Sequence, residues 1–213
     1  MTHTRRLLPR SATLLLLLGT QVGCLASNRL TTARPNAEGQ WSFEGAPAAF
    51  AYSDSDSDGL RYGPGVTMGG RLGLLDRADL GVGLSTLGLG IDSRIRLTDG
   101  FADGWVDVAV VPGAYVGALS LVDDTSGLQT VVGAHVLAAV SVGPADGVSA
   151  HLFGGPELAY VDGVTATLAR YGGGVRVWFG EHFALHPEVT VVSDVEVDFT
   201  LVDLAIGLGF VVR

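Results

Sequence analysis

From about Glu38 to the C-terminus, apolar residues alternate with small or polar ones, and turn-forming residues interrupt the alternation at short intervals. The clearest run is Thr130 to Val142. Val132, Ala134, Val136, Ala138, Val140 and Val142 fall on one side of it, with Gly133, His135, Ala139 and Ser141 on the other. Ile91, Ser93, Ile95 and Leu97 alternate in the same way with Asp92, Arg94 and Arg96. Phe183, Leu185, Pro187, Val189 and Val191 alternate with Ala184, His186, Glu188, Thr190 and Val192. Successive side chains of a strand point to opposite faces, so a period of two gives two-faced strands, whereas a helix would mix the opposed sets.

Turn chemistry separates the runs at Ser53–Gly59, Asp76–Asp79, Thr98–Gly104, Asp123–Gly127, Pro144–Gly147, Asp162–Val164, Gly180–His182 and Ser193–Glu196, with a softer break at Thr86–Gly90. These breaks predict ten strands, at about 40–52, 61–75, 79–86, 90–98, 104–119, 128–142, 148–161, 165–179, 183–192 and 196–212; eight is the alternative if the weakest pair merges or lies outside the sheet. Short connections favour up-and-down antiparallel order.

The N-terminus is of another kind. Arg5, Arg6 and Arg10 precede an apolar stretch from Ala12 to Gly19 with five consecutive leucines, and Gln21-Val22-Gly23-Cys24 follows. A basic region, an apolar core and a small-residue cleavage point make an export signal over residues 1–23. Cys24, the single cysteine, resembles the acylated cysteine of the bacterial lipoprotein lipobox, although Gln21 stands where Leu, Val or a small residue is usual. The resemblance implies lipidation at Cys24, and cleavage after Ala26, discarding Cys24, is the alternative. Residues 24–37, polar and without a period, read as a periplasmic tether, and residues 38–213 as one barrel domain.

Loss of the leader leaves 10 basic against 22 acidic residues, a formal charge of −12, and the chain has no lysine. Without a basic patch a nucleic-acid partner is excluded. Only 16% of residues are charged and 31 are glycine. So little charge does not cover a water-exposed surface. Yet no apolar run after residue 23 approaches the roughly 18 residues of a membrane helix. A sheet closed on itself, apolar on its outer side, meets both constraints.

Counted from a periplasmic N-terminus, Trp41, Phe43, Trp105, Phe179, Phe183 and Phe210 fall at periplasmic strand ends, and Phe50, Tyr52, Tyr62, Tyr115, Tyr160 and Phe199 at external ends. Two aromatic rings around an apolar belt suit the interfaces of a lipid-spanning barrel. The opposite face is mainly Gly, Ser, Ala and Thr with charges of both signs. Arg71, Arg94, Arg96, Arg170 and Arg176 can be matched with Asp92, Asp107, Glu157, Glu188 and Asp198 as ion pairs filling a small lumen.

With these features the chain resembles the small outer-membrane β-barrel proteins of Gram-negative bacteria, over about Glu38 to Arg213. The most specific stretches are Asp79-Leu-Gly-Val-Gly-Leu-Ser-Thr-Leu-Gly-Leu-Gly-Ile-Asp and the last strand, in which Leu204, Ile206, Leu208 and Phe210 alternate with Ala205, Gly207 and Gly209. That strand looks like the one recognised by barrel-assembly machinery, though Val211-Val212-Arg213 ends the chain where an aromatic residue is usual. The resemblance implies an all-β, antiparallel transmembrane barrel, with outer-membrane lipid and the assembly machinery as partners.

Asp54, Asp56 and Asp58 alternate before Gly59 as in a calcium loop, but Gly65 occupies the twelfth position, where a bidentate Glu is required. A soluble acidic loop is the favoured reading and a non-standard external Ca²⁺ site the alternative. His135, His151 and His186 share the inferred lumen face with Glu157 and Glu188, a set capable of zinc binding or acid–base work. They lack ligand spacing, so packing histidines are expected, with no cofactor. No Gly-x-Ser-x-Gly, His-Glu-x-x-His or phosphate-loop motif occurs. The expectation is a non-enzymatic outer-membrane barrel with a structural, adhesive or narrow-pore role. Its rivals are a lipid-modifying barrel enzyme and a periplasmic lipoprotein with a soluble, lipocalin-like ligand-binding barrel.

Overall fold

The computed structural model describes residues 32–54, 61–85, 88–98, 105–120, 128–161, 163–194 and 199–212. They form ten strands: β1 (Trp41–Asp54), β2 (Arg61–Leu75), β3 (Ala78–Ser85), β4 (Gly88–Arg96), β5 (Val106–Ser120), β6 (Leu128–Val142), β7 (Val148–Val161), β8 (Val164–Phe179), β9 (Phe183–Asp194) and β10 (Phe199–Val212). Each strand pairs antiparallel with its sequence neighbours, and β1 also pairs with β10, from Trp41 opposite Val212 to Asp54 opposite Phe199. The sheet is therefore a closed barrel in simple up-and-down order, without a free edge. The ten-strand expectation holds, not the eight-strand alternative: the soft break after Ser85 separates two paired strands, with Ser85 opposite Gly88.

One rim carries the start of β1 and the end of β10, and is here called the N-terminal rim. Tight connections close it at Asp76–Arg77, residues 143–147 and Gly180–His182. Gly180 takes φ +71° in the three-residue turn between β8 and β9, a left-handed conformation that glycine adopts without a Cβ penalty. Trp41, Phe43, Trp105, Phe179, Phe183 and Phe210 are all solvent-exposed around this rim. Trp41 stacks on Phe43 and Phe183 tilts against Phe210, with ring centroids 6.2 and 5.0 Å apart.

The two faces of each strand part cleanly. Val132, Ala134, Val136, Ala138 and Val140 are exposed on the barrel wall, while Val131, His135, Leu137, Ala139 and Ser141 are buried inside. On β10, Leu204, Ile206, Leu208 and Phe210 point out, and Ala205, Gly207 and Gly209 point in. The wall is thus a continuous apolar belt; Met68, Leu84, Ile91, Leu152 and Leu158 belong to it too.

The aromatic sorting needs one correction. Tyr115 does not join the external ring: it is buried in the lumen, only 6% exposed. It shares the parity of Asp107 and Val111 on β5, and parity, not nearness to a rim, decides the face. Gly133, its partner across β6, leaves the space its ring fills. Tyr160 is exposed near the second rim. The side chains of Phe50, Tyr52, Tyr62 and Phe199 lie outside the described residues.

Candidate functional site

The interior is the chemically distinctive part of the molecule. Inward positions of a ten-strand barrel face a space that side chains largely fill, and here charges fill it. Asp79 on β3 is the hub, with no exposed surface. It accepts hydrogen bonds from Arg71 Nη2 at 2.7 Å, from Arg94 Nε at 2.9 Å and Nη2 at 2.5 Å, and from the backbone N–H of Asn36 at 2.9 Å. Arg71 Nη2 also lies 2.5 Å from Asp92 Oδ1, which joins β2, β3 and β4 in one network. Gly81 permits this crowding, because a Cβ there would fall 2.7 Å from Arg71 Cζ and 2.9 Å from Asp92 Oδ1.

Three further pairings lie around the lumen. Glu157 on β7 accepts from Arg170 Nε at 2.5 Å and from the Tyr115 hydroxyl at 2.7 Å. Arg176 donates to Glu44 at 3.2 Å, and its guanidinium lies 4.6 Å from the Trp178 ring centroid. Asp107 accepts from Arg34 Nε at 2.5 Å, with Arg96 3.9 Å away. Arg34, Arg71, Arg94, Arg96, Arg170 and Arg176 thus share the interior with Glu44, Asp79, Asp92, Asp107, Glu157 and Glu188. Buried charges persist when paired and hydrogen-bonded, and each of these arginines faces a carboxylate.

Residues 32–37, the described end of the segment expected to be a tether, enter the barrel at the N-terminal rim as a strap. Ala33 is fully buried among Ala109, Val111, Leu137, Ala139 and Phe153. Its N–H donates to Ser141 Oγ at 2.8 Å, Arg94 Nη1 donates to Thr32 Oγ1 at 2.8 Å, and Asn36 Nδ2 donates to Ser42 Oγ at 2.8 Å. Beside the strap a cavity of about 800 Å³ opens at the rim, lined by residues that include Asn36, Asp107, Ser141, Ser149 and Arg176.

Of the residues singled out in the sequence, Arg94, Arg170, Arg176, Asp92, Asp107, Glu157 and Glu188 are buried in the lumen and Arg96 is half-buried near its rim. The partners differ from a simple matching of that set. Arg94 takes Asp79 and Arg176 takes Glu44, neither of which belongs to that set. Asp79 stands where the Asp76–Asp79 turn meets the strand expected at 79–86, and its parity with Gly81 and Gly83 marks it as inward; Glu44 shares inward parity with Ser42 and Ala46. Glu188 meets His151 at 3.1 Å and the Thr190 hydroxyl at 3.4 Å. His135 stays apart from the other two histidines, and neither of its ring nitrogens has a hydrogen-bond partner among the described residues. Cys24, Asp56, Asp58, Asp198 and the side chain of Asp54 lie outside the described residues.

No protein-family model matches the chain, and no curated protein is similar to it in sequence. Among solved structures it is similar to Ail, the attachment invasion locus protein of Yersinia pestis, in complex with the heparin analogue sucrose octasulfate: TM-score 0.42, 12% identity, over 82% of this chain and 99% of that one. It is similar to Neisserial surface protein A, with TM-score 0.43 and 14% identity over 82% and 98% of the two chains. It is also similar to the β domain of the Bordetella autotransporter BrkA, with TM-score 0.48 and 11% identity over 84% and 100%.

Proposed function

We propose that this chain is an integral outer-membrane β-barrel protein of a Gram-negative cell, with a structural or adhesive role and no part in general solute diffusion. The observation that supports it is an inversion of the soluble plan: a closed sheet with its apolar residues outside and its charges inside. Leu152 is 70% exposed and Leu208 63%, while Arg94 is 1% and Glu157 0% exposed. In water such a wall would be a large adhesive patch, whereas in a bilayer it is a lipid-facing belt bounded by an aromatic rim. A lipocalin-like ligand barrel needs the opposite arrangement. A lipid-modifying enzyme needs a histidine beside a serine on the membrane face; of the described histidines His135, His151 and His186 point inward, and His182, in the rim turn, meets the Val211 carbonyl at 3.1 Å.

The strap and the ion-pair network fill the lumen, which favours function at the loops and wall. The rim cavity makes a narrow or gated pore the second reading. The leader directs export, Cys24 carries the lipid anchor on the periplasmic side, and assembly machinery inserts the barrel. The test is the folding medium. The chain without residues 1–24 should fold into detergent micelles or lipid vesicles and aggregate in water; a folded, soluble monomer in water would overturn the membrane reading. For the anchor, an intact mass showing a mature N-terminus at Ser27 without acyl chains would overturn lipidation at Cys24.

A further inference from the structure

His151 on β7 meets His186 and Glu188 on β9, across the full width of β8. His186 and Glu188 share the inward face of one strand, two residues apart. His151 comes from two strands away, roughly 9.5 Å at the backbone. The strand between carries Gly174, which is paired with His151 on one side and Glu188 on the other. A Cβ at Gly174 would fall 2.8 Å from His151 Cε1 and 3.0 Å from Glu188 Cα. The missing side chain is what lets the three groups meet. All three are buried, at 3%, 1% and 3% exposed.

Their contacts are of an unusual kind. His151 Nε2 lies 3.1 Å from Glu188 Oε2 and 3.1 Å from His186 Nε2, and His186 Nε2 lies 3.7 Å from the same Glu188 oxygen. A neutral imidazole has one N–H, which points at one partner. If only His151 carries its proton on Nε2 and donates to Glu188, the His186 lone pair faces the carboxylate. If only His186 does and donates to His151, the His151 lone pair faces that carboxylate instead. If both do, two N–H groups oppose each other 3.1 Å apart, and if neither does, three electron-rich atoms meet, so no pair of neutral tautomers satisfies all three contacts. The Nδ1 atoms of both rings are buried without a hydrogen-bond partner among the described residues, so Nε2 is the atom of each ring that carries its polar contacts. A cation at the centre satisfies all three lone pairs at once.

The triangle also has the right size. A point in its plane equidistant from the three atoms lies about 1.9 Å from each, so an ion bound at about 2.0–2.1 Å sits about 0.7 Å out of that plane. That offset is the one a tetrahedral ion has from three of its ligands, and it leaves the fourth position open. Two imidazoles and a carboxylate select a borderline divalent ion such as zinc over calcium or magnesium, which take oxygen ligands. Thr190 donates to the other Glu188 oxygen at 3.4 Å, and His151 stacks on Phe153, so carboxylate and ring are both held. Arg176, near His186, has its charge met by Glu44. Ser141, paired with His151, and Ser149, one inward step nearer the rim, both line the rim cavity, which brings open space to the residues next to the cluster.

We propose that His151, His186 and Glu188 form a lumen site for one divalent transition-metal ion, zinc by size and ligand chemistry, with an open fourth position. The site does not depend on which role the barrel plays. The experiment uses the untagged mature chain folded in detergent micelles and stripped of metal with a chelator. Zn²⁺ should bind at one equivalent, and Co²⁺ should give the strong visible absorption of a tetrahedral ion and be displaced by Zn²⁺. His151→Gln and His186→Gln should each weaken Zn²⁺ binding by at least about 100-fold, since even the outer partners of metal ligands are worth 10–100-fold. His135→Gln, in the same lumen but outside the cluster, should bind as the parent does. The Co²⁺ titration of the parent keeps the test valid if a variant fails to fold. No stoichiometric binding in the micromolar range, an octahedral Co²⁺ spectrum, or binding unchanged in folded His151→Gln and His186→Gln would overturn the proposal.

Discussion

Replacing Asp79 with Asn should destabilise the barrel more than the loss of any single charge on its surface or rims. The substitution keeps the shape of the side chain and removes its charge. Asp79 meets two arginines, and their fates differ. Arg71 retains Asp92 at 2.5 Å. Arg94 is 1% exposed, and among the described residues Asp79 is its one carboxylate partner; only the Thr32 hydroxyl would remain to it. Stranding one member of a buried ion pair costs about 3–5 kcal/mol, a factor of about 10²–10⁴ in the folding equilibrium. Asp146→Asn, at an exposed turn, should stay within about 0.5 kcal/mol of the parent. Urea unfolding in lipid vesicles, followed by tryptophan fluorescence and extrapolated to zero denaturant, measures both. The double variant Asp79→Asn with Arg94→Gln removes the stranded charge and should recover much of the loss. If Asp79→Asn fell within about 1 kcal/mol of the parent, solvent would have to reach the hub, and the view of a dry, ion-paired lumen would be wrong.

In planar bilayers the full barrel should conduct poorly, and deletion of residues 24–37, which takes out the strap, should raise the current; large steady currents from the intact chain would refute the plug. Val136→Arg places a charge on the exposed wall and should cost about 2–4 kcal/mol if it lies near the bilayer midplane, whereas His135→Arg faces the lumen and follows packing and ion pairing there. Equal tolerance of the two in vesicle-folding experiments would contradict the inside–outside assignment. Gly133→Ala drives a methyl group into the Tyr115 ring and should break its bond to Glu157, at about 1–3 kcal/mol; an unchanged urea midpoint would show that the ring has room to move.

Strand number, order and the two faces of each strand were legible because alternation is a local property: each residue's side follows from its neighbour's. Ile91, Asp92 and Arg94 could be sorted without knowing what lay across the barrel. Local parity also placed charges on the inner face, but it could not say which would meet. Arg176 and Glu44 are 132 positions apart, joined only because β1 closes on β10 and the interior is narrow enough to reach across. The turn-like spelling of Asp76–Asp79 hid the hub of the network, because a carboxylate beside a turn reads as a surface group until its strand is paired. The strap was hidden for a related reason. Residues 32–37 have no period, and their backbone and side-chain groups find partners only once Asp79, Arg94 and Ser141 have been brought to one end of the lumen. The convergence of His151, His186 and Glu188 depends on register above all. Pairing sets Gly174 level with His151 and Glu188, and a shift of one residue in β8 would turn that gap outward and put a side chain of the opposite face between the ligands.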